Sequence, residues 1–499
     1  MPRLLLFLLL LPCFVHAQFY DRAWLVGFYG DIKLSYFTNT PDTSRFFNFV
    51  NNVYLTGDGC NVSDTLGNIL FYSNGTKVGN PQKQLMENGN RMMDSIIDNN
   101  YPDGFSQPMA NLILPKEGNQ FYLFNLSVSD SLYSINHYQQ TNRLYYAVID
   151  MDSNGGLGKV INKRNTIWDG RLLDNTRLTA CRHANGRDWW LISHVFLTDE
   201  YVIYLVTPDS IYPPLIQHIG PAHVSGYVGQ SVFSSDGSLF ASALFNGPVT
   251  ILKFDRCSGQ FSFRDTIVLH NDTIYQHGQV QVICDSLSEG GCSFSPNGKF
   301  LYISTLCYLM QYDMQADTIS KSGVMVARVD TAEYPAPKFF SSFLMPNGEI
   351  VMCSWEYTPT NFHLIKLPDL KAPNCDFRYY GLATNAISAS RLPNMVSYRM
   401  GALLGSSCDT LHTGISELET GKNGLKIYPN PANDYISISL LQYHKNSKLS
   451  IYDALSKEVY HNENTYLDDN IDVRKFSSGI YLIKISSTDG NLMERFVKE

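Results

Sequence analysis

Short apolar strands separated by glycine turns dominate the chain from about residue 20 to residue 400. A short strand, a glycine turn and an apolar-aromatic strand recur, with the turn glycine at Gly67, Gly118, Gly186, Gly237, Gly298 and Gly348. Asn-Gly and Asp-Gly hairpin turns need a positive φ, which glycine adopts at no steric cost. A four-stranded unit repeated about every 40 to 50 residues is typical of a propeller blade. The pattern predicts an all-β propeller.

Six such turns account for six blades. A seventh blade could be closed from the strand at 24–28 and the strands between Tyr379 and Leu404. Closure matters because an open ring exposes strand edges that can pair with other chains. We therefore predict seven blades, with six or eight as alternatives.

The last 76 residues, 424–499, carry a second pattern. Apolar and polar residues alternate at 436–440, 449–452 and 480–485, which is the period of half-buried strands. Pro429 and Pro431 flank Asn430 and fix a turn, because proline is excluded from central strands. The pattern predicts a small immunoglobulin-like β-sandwich, and an ordinary accessory module of that kind would share it.

The motifs of this tail resemble the C-terminal (type A) sorting domain of cargo of the bacterial type IX secretion system. They are an opening Tyr-Pro-Asn-Pro, a late Gly-Ile-Tyr-Leu strand and a basic end with Arg495 and Lys498. The resemblance implies a sorting signal at Tyr428, Pro429, Asn430, Pro431, Gly479, Tyr481, Leu482 and Lys484. It also implies recognition by the type IX machinery and removal of the tail near 406–423, with the propeller then attached to surface lipopolysaccharide.

The N-terminus has the form of a signal peptide at 1–17. Arg3 precedes an apolar run at 4–11, and Val15-His16-Ala17 is a small-residue cleavage site. The run is shorter than the roughly 20 residues that span a bilayer, and no later segment is long and apolar enough. A lipoprotein signal at Cys13 is the alternative, although Pro12 stands where that motif needs a small residue. We expect a soluble protein, secreted or on the outer surface of a Gram-negative bacterium.

The domain boundaries follow from these segments. We assign 1–17 to the signal peptide, 19–405 to the propeller, 406–423 to a polar, exposed and mobile linker, and 424–499 to the sorting domain. The segments 67–75, 144–151, 254–259, 294–302 and 392–394 resemble a family of secreted propellers from bacteria with type IX secretion. That resemblance implies fold and compartment but no activity. Many relatives continue into adhesive repeats, which this chain lacks.

The charge and cysteine composition exclude some classes of partner and site. The formal net charge is −8 and no basic cluster occurs, which argues against nucleic acid. The ten cysteines include no C-x-x-C pair and no zinc-ligand spacing. Cys284 and Cys292 are the nearest candidates for a disulfide in sequence.

An Asp-(Ser/Thr)-apolar triplet recurs along the chain. It resembles the acceptor sequence of O-glycosylation in bacteria of this secretory type, although such triplets are also turn residues that lead into strands. The candidate acceptors are Thr65, Ser95, Ser131, Ser210, Thr266, Thr273, Ser286, Thr318, Thr331 and Thr410.

No catalytic motif is evident, and we predict no catalytic residue, metal or cofactor. His183, His194, His218 and His223 could meet at the axis of the ring, but lone strand histidines are more often structural. The acid pairs Asp150/Asp152 and Asp468/Asp469 resemble solvated turns. Trp168, Trp189 and Trp190 could stack on a sugar, although one of the adjacent pair should fill the space between blades.

Two functions remain open. The first is a non-catalytic module that binds a protein or glycan through loops on a rigid ring. The alternative is a propeller hydrolase, lactonase or lyase with groups from several blades at the central channel. Three or four His, Asp or Glu side chains at the mouth of the axis would favour the enzyme, whereas an apolar or aromatic rim would favour binding.

Overall fold

A computed structural model describes most of the chain, in two compact units at Met1–Leu411 and His412–Glu499. The described residues are 20–27, 32–35, 42–46, 53–55, 59–105, 107–136, 140–223, 228–244, 247–268, 272–276, 279–284, 289–329, 338–354, 360–384, 391–409, 426–439, 448–453, 457–463, 471–487 and 490–499. The predicted signal peptide and most of the predicted linker lie outside these ranges.

Eight antiparallel sheets follow one another along the described part of the first unit. Seven of them have three or four strands, and we call these blades 1 to 7; the eighth is a two-stranded hairpin. Within each blade, strands that are adjacent in sequence pair with each other. Blade 1 is β1 (Ala23–Val26), β2 (Ile32–Ser35) and β3 (Asp42–Arg45), and blade 2 is β4 (Cys60–Ser63), β5 (Ile69–Ser73) and β6 (Val78–Gly79). Blade 3 is β7 (Asn111–Pro115), β8 (Gln120–Ser127), β9 (Arg143–Asp150) and β10 (Lys159–Asp169).

The remaining blades each have four strands. Blade 4 is β11 (Thr179–Arg182), β12 (Trp189–His194), β13 (Glu200–Val206) and β14 (Leu215–His218), and blade 5 is β15 (Gly229–Phe233), β16 (Leu239–Leu244), β17 (Val249–Asp255) and β18 (Gln260–Ile267). A hairpin follows, β19 (Asp272–Gln276) and β20 (Gln279–Cys284). Blade 6 is β21 (Glu289–Phe294), β22 (Phe300–Thr305), β23 (Tyr308–Asp313) and β24 (Val324–Arg328), and blade 7 is β25 (Phe339–Leu344), β26 (Ile350–Ser354), β27 (Phe362–Ile365) and β28 (Phe377–Leu382).

The first strands of the blades surround a common axis. Strand β1 contacts β4, β4 contacts β7, β11 contacts β15, and β21 contacts both β15 and β25. Blades 3 and 4 are joined where the Leu178 amide donates to the Met109 carbonyl at 3.1 Å. The ring closes where Trp24 of β1 packs edge-on against Phe343 of β25, with ring centroids 6.3 Å apart. The predicted seven-bladed propeller is confirmed.

The way the ring closes differs from our expectation. Strand β28, which contains Tyr379, is the fourth strand of blade 7, and residues 391–404 contain no strand. Within the described residues, blade 1 consists of the N-terminal strands β1 to β3. Residues 391–404 do not serve as a closing strand, because Pro393 lacks an amide for a ladder and the buried Asn394 bonds to residues of several blades at once.

The six turn glycines behave as the repeat predicts. Each lies between the first and second strands of blades 2 to 7, and their φ angles fall between 68° and 86°. In four of the turns the preceding Asp or Asn accepts the amide two residues on, at Asn185, Asp236, Asn297 and Asn347. Side chain and glycine together therefore fix the tight hairpin locally.

The second unit is a small sandwich, as predicted. One sheet has the order β29-β30-β33, from β29 (Lys426–Tyr428), β30 (Tyr435–Ser439) and β33 (Ile471–Asp472). The other has the order β32-β31-β34-β35, from β31 (Lys448–Tyr452), β32 (Glu458–Asn462), β34 (Gly479–Ser487) and β35 (Gly490–Lys498). Ile436, Ile451, Ile483 and Phe496 are fully buried between them.

Helices are few and short. They are α1 (Ser95–Asn100), α2 (Asp130–Asn136) and the 3₁₀ turns η1 (Asn154–Gly156) and η2 (Ile319–Lys321). Turn η1 lies in the hairpin between β9 and β10. Among the described residues, no helix is long and apolar enough to cross a membrane.

The cysteine pairing differs from the nearest pair in sequence. Cys257 of blade 5 is bonded to Cys408, 151 residues away. Cys292, which we considered as a partner of Cys284, is buried and is not part of a disulfide. Its sulfur lies against the Gln230 and Ala241 carbonyls inside the blade 5–blade 6 contact, where it acts as an apolar filler.

Candidate functional site

The axis of the propeller is occupied by the chain itself. We call residues 391–409 the axial segment. The Asn394 amide donates to the Gly59 carbonyl of blade 2, and its side chain donates to the carbonyls of Asn111 and Leu178, both at 2.9 Å. A residue whose backbone and side chain together bond at the first strands of three blades must lie at their common axis.

Further contacts fix the segment along its length. The Tyr398 hydroxyl donates to the Ile113 carbonyl at 2.8 Å, and Arg182 donates to the Tyr398 carbonyl at 3.1 Å. Farther on, Arg256 donates to the Gly401 carbonyl, and the Cys257–Cys408 disulfide ties the end of the segment to blade 5. Residues 406–409, assigned from sequence to the linker, are thus bonded to the propeller.

Beside the segment lies a cavity of about 310 Å³. It opens among the hairpin turns between the first and second strands of blades 5, 6 and 7. Its lining is mostly aromatic, aliphatic and thioether, and includes Trp24, Phe233, Phe294, Phe343, Met345, Met395, Val396 and Met400. The rim of the axis is therefore apolar, which is the outcome that favours binding over catalysis.

The charged side chains that line this cavity pair with each other. Arg399 donates to both carboxylate oxygens of Asp21 at 3.1 Å, and also to the Pro346 carbonyl. Burial raises the pKa of Asp21 despite the opposing effect of Arg399. The pair ties the axial segment to the start of blade 1. It does not form the set of three or four acids and histidines that an axial enzyme site requires.

A second cluster brings together the loop before β11, the end of β12 and the loop after β14. Asp174, His194 and His223 are buried, and their ligand-type atoms all lie within 4.8 Å of one another. Nδ1 of His194 is 2.8 Å from a carboxylate oxygen of Asp174, and Nδ1 of His223 is 3.6 Å from it. The buried Arg177 forms an ion pair with the same carboxylate.

This cluster does not fit a metal ion. The rings of His194 and His223 stack with centroids 3.8 Å apart and planes 18° apart. An imidazole nitrogen binds a metal in the plane of its ring, so two near-parallel rings cannot both direct a lone pair at one ion. Arg177 already balances Asp174, and a second buried cation would be unpaired.

The titration behaviour fits a structural ion pair. Burial by itself would raise the pKa of Asp174, but Arg177 and His194 outweigh burial and hold that pKa below its usual value. Burial lowers the pKa of His223 to about 3, so this ring is neutral near pH 7. Asp174 and Arg177 then neutralise each other, and the neutral imidazole of His223 adds no buried charge.

Of the four histidines singled out in the sequence, two come together. His183 directly follows the last residue of β11, and its ring bonds to the Cys257 carbonyl at 3.1 Å. His218 is largely exposed and lies 2.9 Å from Asp199. The cluster was missed from sequence because Asp174 and Arg177 lie in a loop with no motif, and only the fold brings them to the histidines.

The tryptophans are structural. Trp190 donates to the Arg256 carbonyl at 2.7 Å and fills the space between blades 4 and 5, as expected for one of the pair. Trp189 is buried against Tyr398 and Arg182 at the axis. Trp168 is partly exposed and donates to the Arg171 carbonyl. Asp150 accepts turn hydrogen bonds from the Asp152 amide and the Ser153 hydroxyl, and Asp152 accepts one from the Asn119 side chain. Asp468 and Asp469 lie outside the described residues.

The candidate sorting residues fall in three places of the second unit. The Asn430 side chain bonds to the Arg495 carbonyl and the Val497 amide, so the turn from Tyr428 to Pro431 is tied to the last strand. Tyr481 is buried and stacks on Phe496. Leu482 and Lys484 follow on β34 and face outward, after Gly479 at the start of the strand.

The candidate acceptors that can be placed are accessible. Five side chains are exposed and one, Thr266, is half-buried; the exposed ones are Thr65, Ser95, Ser131, Ser210 and Thr318. The side chains of Thr273, Ser286, Thr331 and Thr410 lie outside the described residues.

Comparison with protein families decides the role of the tail. Residues 426–499 match the secretion system C-terminal sorting domain. The tail is a type IX secretion sorting domain. The sorting domain implies export by that system and a secreted or surface location. No curated protein matches the chain.

Solved structures resemble the propeller at low identity. A putative 6-phosphogluconolactonase from Bacteroides uniformis ATCC 8492 is 12% identical with a TM-score of 0.43, covering 73% of this chain and 97% of that one. A putative 6-phosphogluconolactonase from Bacteroides fragilis NCTC 9343 is 13% identical with a TM-score of 0.39, over 69% and 91%. The β-propeller domain of Cps50 (Swd1) from Myceliophteria thermophila is 13% identical with a TM-score of 0.32, over 67% and 94%. At these identities no activity carries over to this chain.

Proposed function

We propose that the propeller is a non-catalytic binding module, exported with the help of a signal peptide and displayed or released outside the cell. The single observation that carries the proposal is the axial segment. It fills the place where groups from several blades would have to meet for catalysis, and Asn394 is only 3% exposed there.

The cavity beside the segment is the proposed binding site. Its lining combines phenylalanines with Met345, Met395 and Met400, and flexible thioethers adapt well to apolar protein side chains. A glycan pocket needs a denser set of hydrogen-bond donors and acceptors around an aromatic platform. The lining therefore favours a protein ligand that inserts an apolar side chain.

The experiment is a ligand screen with a blocked variant. Ser397 is exposed and lines the cavity, so Ser397→Trp fills its mouth without touching the core. The matched control is Ser320→Trp, an exposed serine on η2 of blade 6. The full chain is panned against a phage-displayed peptide library and, in parallel, applied to a glycan array and assayed with lactone, ester and polysaccharide-lyase substrates.

We expect peptides with an apolar anchor to bind the wild type and Ser320→Trp, and to lose at least tenfold in affinity for Ser397→Trp. Glycan binding that survives in Ser397→Trp would contradict the proposed site and ligand class. Turnover of any substrate by the wild type, lost in Ser397→Trp, would replace the binding module with the enzyme.

Glycosylation and tail removal belong to the same proposal. Sugars on the exposed acceptors would cover the outer surface of an aromatic-rich protein and protect it from proteases. Removal of the sorting domain after Cys408 would leave the axial segment with the propeller, ready for lipopolysaccharide attachment. Mass analysis of the secreted protein tests both, and a product without added hexose that retains Glu499 would contradict them.

A further inference from the structure

The loop that follows β6 runs along the outer edge of blade 3. Strand β10 is the last strand of that blade, and Lys159 at its start forms a parallel bridge with Glu87 of the loop. The Val160 amide donates to the Glu87 carbonyl at 3.0 Å, and the Asn88 side chain donates to the Val160 carbonyl at 2.8 Å. The loop and β10 therefore lie side by side and run in the same direction.

This pairing brings two arginines together, Arg91 of the loop and Arg164 of β10. The Lys163 ammonium, next to Arg164 in the chain, donates to the Asn90 carbonyl at 2.6 Å, next to Arg91. It also donates to the Asn88 carbonyl at 3.0 Å. No basic run marks the two arginines in the sequence, because Asn90 and Lys163 are 73 positions apart. We call Arg91 and Arg164 the arginine pair.

A β-bulge carries one member of the pair. The register between β9 and β10 passes from Asn162 directly to Asn165, so Lys163 and Arg164 have no partner on β9. The φ angle is 54° at Arg164 and 52° at Arg91, a conformation that is uncommon outside glycine. Bulges re-aim side chains and are frequent next to functional sites. Both arginines of the pair are exposed.

The charges of the arginine pair are left largely unneutralised by the protein. Arg91 and Arg164 form no ion pair with any residue that the structure describes. The neighbouring Glu87 is already paired with Lys159 at 2.7 Å. Burial raises the pKa of Asp98, near Arg164, to about 7, so this carboxyl is only partly ionised near neutral pH.

Lys163 adds a third positive charge behind the arginine pair. Burial lowers the pKa of this lysine, and the charges of Arg164 and Arg91 lower it further. Asp94, the acid that lies near Asp98, is paired with Arg143. A chain with a net charge of −8 therefore has a local cationic site at this edge, which attracts an anion from solution.

We propose that the arginine pair is a binding site for a phosphate monoester group. A guanidinium is a planar fork that bonds two oxygens of an oxyanion at once. A phosphate monoester offers three acceptor oxygens and a charge of about −1.5 to −2, enough for two such forks, whereas a carboxylate offers two oxygens and a single charge. The site lies on the outermost strand of blade 3, so it is separate from the axial cavity and independent of any ligand bound there.

The test measures binding of radiolabelled inorganic phosphate to the full chain by equilibrium dialysis at low ionic strength, where screening is weak. The site variant is Arg91→Gln/Arg164→Gln. The matched control, Arg378→Gln/Arg474→Gln, removes the same charge from two exposed arginines that each pair with an aspartate two residues earlier. Circular dichroism checks the folding of each variant. A second arm uses phosphatidylcholine vesicles with and without phosphatidic acid, whose headgroup is a phosphate monoester.

We expect the wild type and the control to bind phosphate, and the site variant to bind it at least about tenfold more weakly because charge-assisted hydrogen bonds are lost. Sulfate should displace the phosphate, and acetate should not. Retention on phosphatidic acid vesicles that the site variant loses would assign the phosphate to a lipid headgroup, whereas binding of inorganic phosphate alone would assign it to a soluble ligand.

Three results would overturn the proposal. The first is equal phosphate affinity in the site variant and the control, which would show that the arginine pair is an ordinary solvated surface. The second is displacement by acetate as effective as displacement by sulfate, because the site would then respond only to charge. The third is a wild type that binds neither inorganic phosphate nor phosphatidic acid vesicles.

Discussion

The axial segment should contribute measurably to the stability of the ring, and Asn394→Ala tests this directly. The substitution keeps the backbone bond to Gly59 but removes both side-chain hydrogen bonds, to the Asn111 and Leu178 carbonyls. Each buried acceptor left without its donor costs about 1–3 kcal/mol, so we expect a loss of about 2–4 kcal/mol. With a urea dependence of about 3 kcal/mol/M, the midpoint should fall by about 1 M.

Tryptophan fluorescence is a clean probe for this experiment. All five tryptophans, Trp24, Trp168, Trp189, Trp190 and Trp355, precede the sorting domain, so the signal reports the propeller alone. The control is Asn99→Ala at an exposed position of α1. Tyr398→Phe removes one hydroxyl bond and keeps the ring packing, so it should cost about 1 kcal/mol. If Asn394→Ala unfolds at the same urea concentration as Asn99→Ala, the segment is not part of the stabilising structure.

Three further predictions concern the disulfide, the inner strands and the buried histidines. Cys257→Ser/Cys408→Ser should free the end of the axial segment, so limited proteolysis should cut within 401–409 faster than in the oxidised wild type; equal rates would show that hydrogen bonds alone hold it. Gly291→Ala should cost about 1–3 kcal/mol in urea unfolding, because its Cβ would lie 2.3 Å from Oε1 of Gln230 and 2.7 Å from Cα of Ser341. The control is Gly118→Ala, whose Cβ meets nothing within 4 Å and which should cost about 1 kcal/mol because of the positive φ at that position. If Gly291→Ala costs no more than this control, the close packing around Gly291 is refuted. Burial lowers the pKa of His223 and of His363 to about 3, so the unfolded chain binds more protons between about pH 6.5 and pH 3. As the pH is lowered through that window, the free energy of unfolding should therefore decrease by up to about 1.4 kcal/mol per pH unit for each ring. The variant His363→Gln should reduce this pH dependence, which urea titrations at several pH values measure.

The blades could be predicted because their signals are local. A hairpin turn needs a positive φ at one residue, so Gly237 and Gly298 report it without reference to the rest of the chain. The strands between the turns follow from apolar and aromatic residues that favour a pleated, half-buried surface. The sorting domain was also recognisable, because its motifs occur in order within one short segment.

The contents of the axis could not be predicted in this way. Asn394 and Tyr398 bond to residues 283 and 285 positions earlier, and no periodicity marks a segment that runs through a channel without forming a strand. Proximity in sequence also misled the disulfide assignment, since Cys257 and Cys408 meet only when the ring is closed. The same holds for His194 and His223, which pair because the fold brings the loop after β14 against the end of β12.

Position along the chain gives the axial segment a particular role in assembly. It follows all seven blades, so it can enter the axis only after blade 7 has been made. Among the described residues, blade 1 shares no strand with the C-terminal end. Arg399 instead bonds both to Asp21 before blade 1 and to Pro346 of blade 7, and the Gly27 amide after β1 donates to the Arg391 carbonyl, so these contacts hold the two ends of the ring together. The segment also precedes the sorting domain, which begins its first strand at Lys426. A cut anywhere between Cys408 and Lys426 would therefore separate the sorting domain from a propeller whose closure is already complete.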